Sequence, residues 1–179
     1  MHTRRKLLHL GAALAGTSVT AKAWAQNATT NVRRLSFETL YTGEKLSVDY
    51  WVDGEYVADA LAAVNVVLRD YWNNEVHVIE PGLLDLLSHL HQRLGSTAPF
   101  RVISGYRSPA TNAMLHEHDP GVAVHSLHMK GMAIDIRLQD RALHDLHRTA
   151  VALRGGGVGF YPDLDFVHVD VGRVRYWGD

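Results

Sequence analysis

The sequence contains no cysteine, which excludes disulfide bonds, thiolate catalysis, iron–sulfur clusters and zinc sites with thiolate ligands. It also lacks an excess of charge of either sign, since 18 Lys and Arg oppose 19 Asp and Glu for a formal net charge of −1. Nucleic-acid-binding proteins normally carry a basic stripe or patch, so this balance argues against that class.

The residues that are present are enough for one folded domain. The chain has 179 residues, of which 46% are hydrophobic and 21% charged. This length favours one domain over two, and this composition supplies a hydrophobic core and excludes wholesale disorder. Histidine is unusually abundant, with 12 residues, and indicates metal binding or acid–base chemistry.

Residues 1–25 have the three parts of a secretory signal. Arg4, Arg5 and Lys6 form a basic head, a short apolar stretch follows, and the segment ends in Ala23-Trp24-Ala25. The apolar stretch is too short to span a bilayer core of about 30 Å, although an uncleaved anchor is an alternative. The paired arginines resemble a twin-arginine signal, which predicts export to a periplasm. Cleavage after Ala25 removes four basic residues and no acid, so the formal charge becomes −5.

The pattern after residue 25 predicts a mixed α and β domain. Residues 26–34 are mostly polar and are predicted to be a short exposed lead-in, with the domain proper at residues 35–179. Residues 35–51 predict a β-hairpin, and apolar spacings of three and four predict a helix over residues 57–71. Pro81 and Gly95 are placed to begin and end a second helix.

The carboxyl-terminal half is predicted to contain four strands, two helices and a final hairpin return. Strands are predicted at residues 100–104, 131–138, 158–161 and 166–171, with a final hairpin return at 173–177. Helices are predicted at residues 110–116 and 143–153, the latter ended by the glycines at 155–157. Because strands come in neighbouring pairs and helices in runs, the fold class is α+β, with a largely antiparallel sheet and helices mainly on one face.

Two predicted strands carry polar residues in mid-strand, on the face opposite their apolar side chains. In strand 131–138, Ile134 and Ile136 alternate with Asp135, which therefore lies on the opposite face and needs a partner. In strand 166–171, His168 and Asp170 alternate in the same way with valines.

If these two strands are neighbours, His168 and Asp135 share a face, and His128 reaches them from the loop that enters the first strand. Two imidazoles and one carboxylate form a three-ligand zinc site with an open fourth position. A metal-free histidine–carboxylate pair that joins the two strands is the alternative.

The spacing Ser-x-His-x-x-Gly-x-Ala-x-Asp over residues 126–135, followed by His168, resembles the zinc signature of the D-Ala-D-Ala metallopeptidases. The turn at residues 104–108, which contains Tyr106 and Arg107, is similar to the arginine-bearing turn of the same group. Among them the chain resembles the exported murein endopeptidase K type over about residues 35–177. The resemblance implies the fold shared by these enzymes and the hedgehog signalling domain.

This resemblance also implies roles for individual residues. His128, Asp135 and His168 would be the zinc ligands, and Asp165, three residues before the last histidine, would be the general base. The dipeptidase relatives carry glutamate there, and the shorter aspartate would have to lie in the turn before the strand to reach the metal. Arg107 would stabilise an oxyanion or bind a substrate carboxylate, unless it is a surface arginine that closes a turn.

Four further residues are candidates for contacts around the ligands or with substrate. Asp170 lies two residues beyond His168 on its face and is placed to orient that imidazole. His125 would lie at the rim of the site, although an exposed loop histidine is the alternative. Ser126 and Tyr106 belong to the two motifs themselves.

The sequence therefore predicts an exported zinc peptidase that hydrolyses peptide bonds in the stem peptides or cross-links of peptidoglycan, with an endopeptidase favoured over a carboxypeptidase. Its partners would be peptidoglycan peptides, with no nucleic acid and no membrane span after signal cleavage. The alternatives are a noncatalytic exported domain that binds peptidoglycan or metal, and a metal-free structural domain. D,D and L,D specificities both stay open.

Overall fold

The computed structural model describes residues 31–178, so the predicted signal at residues 1–25 lies outside the described residues. The strands are β1 (Val32–Thr39), β2 (Lys45–Val52), β3 (Glu55–Tyr56), β4 (Phe100–Ser104), β5 (Ala133–Arg137), β6 (Gly157–Tyr161), β7 (Phe166–Asp170) and β8 (Arg175–Trp177). The helices are α1 (Ala58–Val67), α2 (Pro81–Leu94), α3 (Pro109–His118) and α4 (Leu143–Leu153). None of the helices in residues 31–178 has the length and apolar character that crossing a membrane requires.

The strands form one sheet in the order β3-β2-β1-β4-β5-β7-β6-β8. Neighbouring strands are antiparallel except for the pairs β1–β4 and β6–β8, which are parallel. The parallel pair β1–β4 is possible because α1 and α2 lie between these strands in the chain and supply the crossover. The α+β class with a largely antiparallel sheet is confirmed.

The hydrophobic core lies on one face of this sheet, as predicted. Ile134 and Ile136 of β5 and Val167 and Val169 of β7 are fully buried there. They lie in one cluster with the buried leucines of α2, and α1, α2 and α4 contact the sheet or each other. Each such side chain contributes about 1.5–3 kcal/mol of burial free energy, so this face stabilises the sheet that carries the polar residues.

Helix α2 begins and ends where the sequence predicts. Pro81 is its first residue, and Gly95 closes it with φ of +60°. Helix α1 is shorter than predicted, because it ends at Val67 rather than near residue 71. The buried carboxylate of Asp70 accepts the amide hydrogens of Trp72 and Ser108, which turns the chain away from the helix axis.

The structure differs from the sequence-based expectation at both ends of the domain. Strand β1 begins at Val32, so the last residues of the predicted polar lead-in are part of the sheet. The predicted hairpin return at residues 173–177 is wrong, because β8 lies parallel to β6 at the edge of the sheet. Helix α4 ends at Leu153, and the next residue, Arg154, adopts the left-handed conformation before the glycines at 155–157.

Candidate metal centre

Asp135 and His168 lie directly opposite each other in the antiparallel pairing of β5 and β7. Side chains of opposed residues point to the same face, here the face away from the core helices. Both are nevertheless buried, with 5% and 8% of their surface exposed. The shared face that alternation predicts is therefore present, and the adjacency of the two strands brings the side chains into contact.

His128 reaches this face from a 3-10 turn, Leu127–Lys130, that precedes β5. The Ser126 hydroxyl caps the turn by accepting the amide hydrogen of His128 at 3.3 Å. Gly131 closes the turn with φ of +64°, and a Cβ at this position would overlap the carbonyl oxygen of Val78. The Ser and Gly of the motif thus fix the backbone that points His128 inward, where it is 1% exposed.

The three side chains bring their donor atoms to one point. His128 Nε2 lies 3.2 Å from Asp135 Oδ1, His168 Nδ1 lies 2.8 Å from the same oxygen, and the two nitrogens are 3.1 Å apart. Tetrahedral ligands at about 2.0–2.2 Å from zinc are separated by roughly 3.3–3.6 Å, slightly more than these distances. Within residues 31–178, these are the three side chains whose potential ligand atoms converge in this way.

Hydrogen bonds on the far side of each imidazole hold the proton of the neutral ring there, which leaves the converging nitrogens as acceptors. His128 Nδ1 donates to the carbonyl oxygen of Gly105 at 2.7 Å, and His168 Nε2 donates to Asp170 Oδ2 at 3.1 Å. In the neutral tautomers, the lone pairs of His128 Nε2 and His168 Nδ1 then face each other and the Asp135 carboxylate. Three converging lone pairs repel one another unless a cation or a proton lies between them, so the donor set fits a divalent metal.

The electrostatics of the cluster agree with a ligand role. Burial lowers the pKa of His128 below its ordinary value, which keeps the imidazole neutral. Burial alone would raise the pKa of Asp135, but His128 and His168 outweigh it and hold that pKa well below its usual range. For His168, hydrogen bonds to Asp135 and Asp170 outweigh burial and raise the pKa. A proton on His168 and a metal ion would therefore compete for the same position.

Asp170 is the support behind His168. It is completely buried, and besides His168 its carboxylate accepts the amide hydrogens of Gly157 and Gly172 and two hydrogens from the Arg175 guanidinium. Gly157 is required here, because a Cβ would overlap both Asp170 Oδ2 and the Arg175 guanidinium. The contact with His168 that the sequence predicted for Asp170 is present, and Gly157, predicted only as part of the end of α4, donates to this carboxylate.

Arg107 lies against the cluster rather than at the surface. Its guanidinium donates to Asp135 Oδ2 at 3.2 Å and to the Ser104 hydroxyl at 3.2 Å, and its side chain is 12% exposed. A bulge in β4 turns Ser104 to this face, opposite Asp135. The alternative of an arginine that only closes a surface turn is wrong.

Asp165 lies in the turn before β7, as its predicted role requires, but its carboxylate does not face the three donor atoms. It forms an ion pair with Arg137 and its side chain is 59% exposed. The residue adopts the left-handed conformation, with φ of +55°. Arg137 lies two residues beyond Asp135 on the same face of β5, so Asp165 is held beside the cluster rather than in it.

The other two candidates lie at the periphery. His125 is exposed, next to the buried Ser126. Tyr106 is buried away from the cluster, where its hydroxyl donates to Glu75 at 2.6 Å and its ring stacks on His77 at 4.6 Å. Burial and the Glu75 carboxylate raise the pKa of Tyr106 to about 12. Tyr106 therefore anchors the loop over residues 70–79 beside the site.

Sequence reasoning missed two residues of β8 that border the site. Arg175 binds Asp170, and the Trp177 ring centroid lies 5.1 Å from that of His168. The Trp177 indole N–H donates to the Tyr161 hydroxyl at 2.7 Å, which fixes its orientation. No spacing in the sequence signals these contacts, because they depend on β8 pairing parallel to β6.

Comparison with known proteins agrees with the motif. A family model described as peptidoglycan L,D-endopeptidase MepK matches residues 27–177. The peptidoglycan L,D-endopeptidase MepK of Escherichia coli K12 is 40% identical over 175 residues, which cover 97% of this chain and 96% of the relative. The probable peptidoglycan L,D-endopeptidase MepK of Haemophilus influenzae is 38% identical over 176 residues, which cover 97% of this chain and 95% of the relative.

The family match covers the described strands and helices, including the three converging side chains, and the similarity to the two relatives extends over nearly the whole chain. The chain therefore belongs to the peptidoglycan L,D-endopeptidase MepK family, within the D-Ala-D-Ala metallopeptidase group.

Proposed function

We propose that the protein is a zinc-dependent endopeptidase that hydrolyses peptide bonds in peptidoglycan. The observation that carries this proposal is the convergence of His128, Asp135 and His168 on one point, with both imidazoles oriented by hydrogen bonds on their far sides. The names of its relatives, peptidoglycan L,D-endopeptidases, supply the substrate class and favour an L,D bond.

Zinc is the metal that best suits this donor set. Two imidazole nitrogens and one carboxylate oxygen, without thiolate, are a common ligand set of catalytic zinc, and three protein ligands leave a position for water or substrate. Bound zinc would lower the pKa of its water from the bulk value to about 7 and would polarise the substrate carbonyl.

Asp165 and Arg107 are proposed to carry the remaining chemistry. Asp165 accepts a proton from the attacking water and delivers it to the leaving amine, which requires it to leave Arg137. Arg107 already lies beside Asp135, and its guanidinium stabilises the negative charge that develops on the carbonyl oxygen. Asp170 holds His168 in the tautomer in which Nδ1 is free to bind the metal, and His128, Asp135 and His168 would hold the ion.

The experiment is digestion of defined cross-linked muropeptides by the zinc-loaded protein, with the fragments identified by mass. Cleavage within an L,D cross-link is expected. Exclusive release of a terminal residue would instead indicate a carboxypeptidase. Failure to cleave any muropeptide while zinc is bound would reject the hydrolase proposal.

A noncatalytic peptidoglycan- or metal-binding domain is the second candidate, because the Asp165 carboxylate pairs with Arg137 rather than facing the cluster. Asp165→Ala separates the two functions. If Asp165 is the base, hydrolysis falls by about 10²–10⁴-fold while the zinc content is unchanged. Asp163→Ala removes another acid from the same turn and is the matched control, with activity expected to be retained.

The proposal places the peptidase domain at about residues 35–179 and the protein outside the cytoplasm, where its substrate lies. Residues 1–25 would direct export by the twin-arginine route, and the exported protein would be periplasmic. The test compares cells that express the wild-type full chain with cells that express a double variant, Arg4→Lys with Arg5→Lys. Cell fractionation then shows which compartment contains each protein. Retention of the double variant in the cytoplasm is expected.

A further inference from the structure

Two arginines lie directly opposite each other beside the candidate metal centre. Arg101 of β4 pairs with Arg137 of β5 in the antiparallel register, so both side chains point to one face of the sheet. Asp135 lies two residues before Arg137 on the same strand and therefore on this face. The arginine pair is thus the next row of side chains along the sheet from the three converging donors.

This arrangement is unfavourable unless anions neutralise it, because like charges directly opposite in a sheet repel. Within the described residues, the guanidinium group of Arg137 is better paired with an anion than that of Arg101. Arg137 forms an ion pair with Asp165, whereas Arg101 Nε is buried without a hydrogen bond and lies 3.9 Å from Glu38. Asp165 is 59% exposed, so another anion from solvent can replace it at little cost.

The two arginines also line an open depression of about 470 Å³. Its charged lining residues are three arginines and one aspartate, which makes it locally basic in a chain whose formal net charge is −1. The third arginine, Arg141, is held at the depression by the carbonyl oxygens of Leu94 and Gly95 at the end of α2, and it forms an ion pair with Asp140 at 3.2 Å. The volume lies in the range of ligand-binding clefts.

We propose that Arg101 and Arg137 bind a free carboxylate of an acidic peptide substrate, and that Asp165 occupies Arg137 when no peptide is bound. This site rests on the proposed peptidase function in one respect: that function brings a peptide to the candidate metal centre next to the arginines. Paired planar guanidinium groups suit a carboxylate because each offers two parallel N–H donors, which an ammonium group does not. The site would select peptides that carry a carboxylate at a fixed distance from the cleaved bond.

Steady-state kinetics with pairs of synthetic muropeptides test this site, each pair differing only by amidation of one free carboxylate. The wild-type protein is expected to show a KM about tenfold lower for one free acid than for its amide. Arg101→Gln and Arg137→Gln should each raise KM for that acid about tenfold, leave kcat within about threefold, and abolish the preference. Arg137→Lys should retain part of it, because the charge remains.

The matched control is Arg148→Gln, which removes an exposed arginine of α4 and should leave the preference unchanged. Thermal melting shows whether each variant is folded. If Arg101→Gln and Arg137→Gln are folded and keep the wild-type preference, the carboxylate site is wrong while the peptidase function stands.

Binding of the same peptides, measured by calorimetry, separates the two proposals. If the wild-type protein binds the free acid more tightly than the amide but cleaves neither, the carboxylate site stands and the peptidase proposal fails. Asp165→Asn should tighten binding of the free acid several-fold, because the competing carboxylate is removed. Unchanged or weaker binding to this variant would overturn the assignment of Asp165 as the occupant of Arg137.

Discussion

Replacing Asp170 with Asn should weaken zinc binding without removing a ligand. Asp170 accepts the His168 Nε2 hydrogen, and its pKa is held well below the usual range because hydrogen bonds from His168, Arg175 and two amides outweigh burial. An Asn at this position keeps one oxygen for those donors but loses the negative charge that fixes the His168 tautomer. Loss of such a supporting contact typically costs 10–100-fold in metal affinity, or about 1.4–2.7 kcal/mol.

The size of the effect on stability follows from linkage. At free zinc 100 times the wild-type Kd, the metal stabilises the folded wild-type protein by about 2.7 kcal/mol. If the variant binds about 30-fold more weakly, the same zinc concentration stabilises it by only about 0.9 kcal/mol. For a domain of about 150 residues, zinc should raise Tm by roughly 5–11 °C in the wild type and roughly 2–4 °C in the variant.

The assay is thermal melting with buffered zinc and with chelator, together with a competition titration that gives Kd directly. Asp145→Asn is the control, because it removes an exposed acid of α4 that pairs with Arg148. A folded Asp170→Asn protein whose zinc affinity equals that of the wild type would refute the argument that Asp170 supports His168. The metal-free variant should itself lose about 1–3 kcal/mol, because buried donors lose a charged acceptor.

Three further predictions concern the metal, the motif glycine and pH. Thorough chelation should abolish muropeptide hydrolysis and added zinc should restore it; full activity after chelation would contradict the zinc mechanism. Gly131→Ala should destabilise the fold by about 2–4 kcal/mol, measured by urea unfolding, because Cβ overlaps the Val78 carbonyl oxygen at positive φ. Gly43→Ala is the control, with φ of +70° but no atom within 4 Å, and should cost only about 1 kcal/mol; equal losses would contradict the overlap argument. The pKa of Asp70 is lowered in the folded state, because hydrogen bonds outweigh the opposing effect of burial. Its contribution to stability is therefore complete above its unfolded pKa of about 3.9 and is lost as pH falls through the lower folded pKa. Asp70→Asn should flatten the fall in unfolding free energy at acid pH, and an unchanged slope would contradict this.

Local patterns predicted the elements well where one physical signal dominated. The leucine spacing with Pro81 and Gly95 predicted α2 to within a residue, because proline and glycine act through the backbone itself. The apolar alternation in β5 and β7 predicted which face carries Asp135 and His168. The end of α1 was missed because Asp70 turns the chain through a bond to Ser108, 38 residues away.

In the candidate site, too, some features were predicted from the sequence and others were not. Spacing and resemblance identified the three side chains that converge, and Asp170 beside them. The pairing of Asp165 with Arg137 was not predictable, because it depends on how the turn before β7 folds over the neighbouring strand. The opposition of Arg101 and Arg137 likewise requires the register of β4 and β5.

The sequence by itself determined the side of each strand that bears polar atoms, since side-chain direction alternates along an extended backbone regardless of its neighbours. It also determined the chemistry of the donors, because their identity is independent of conformation. Only the tertiary structure decided the distances between donors, the tautomer of each imidazole and the partner of Asp165. These depend on strand order and register, which arise from contacts between residues far apart in the chain.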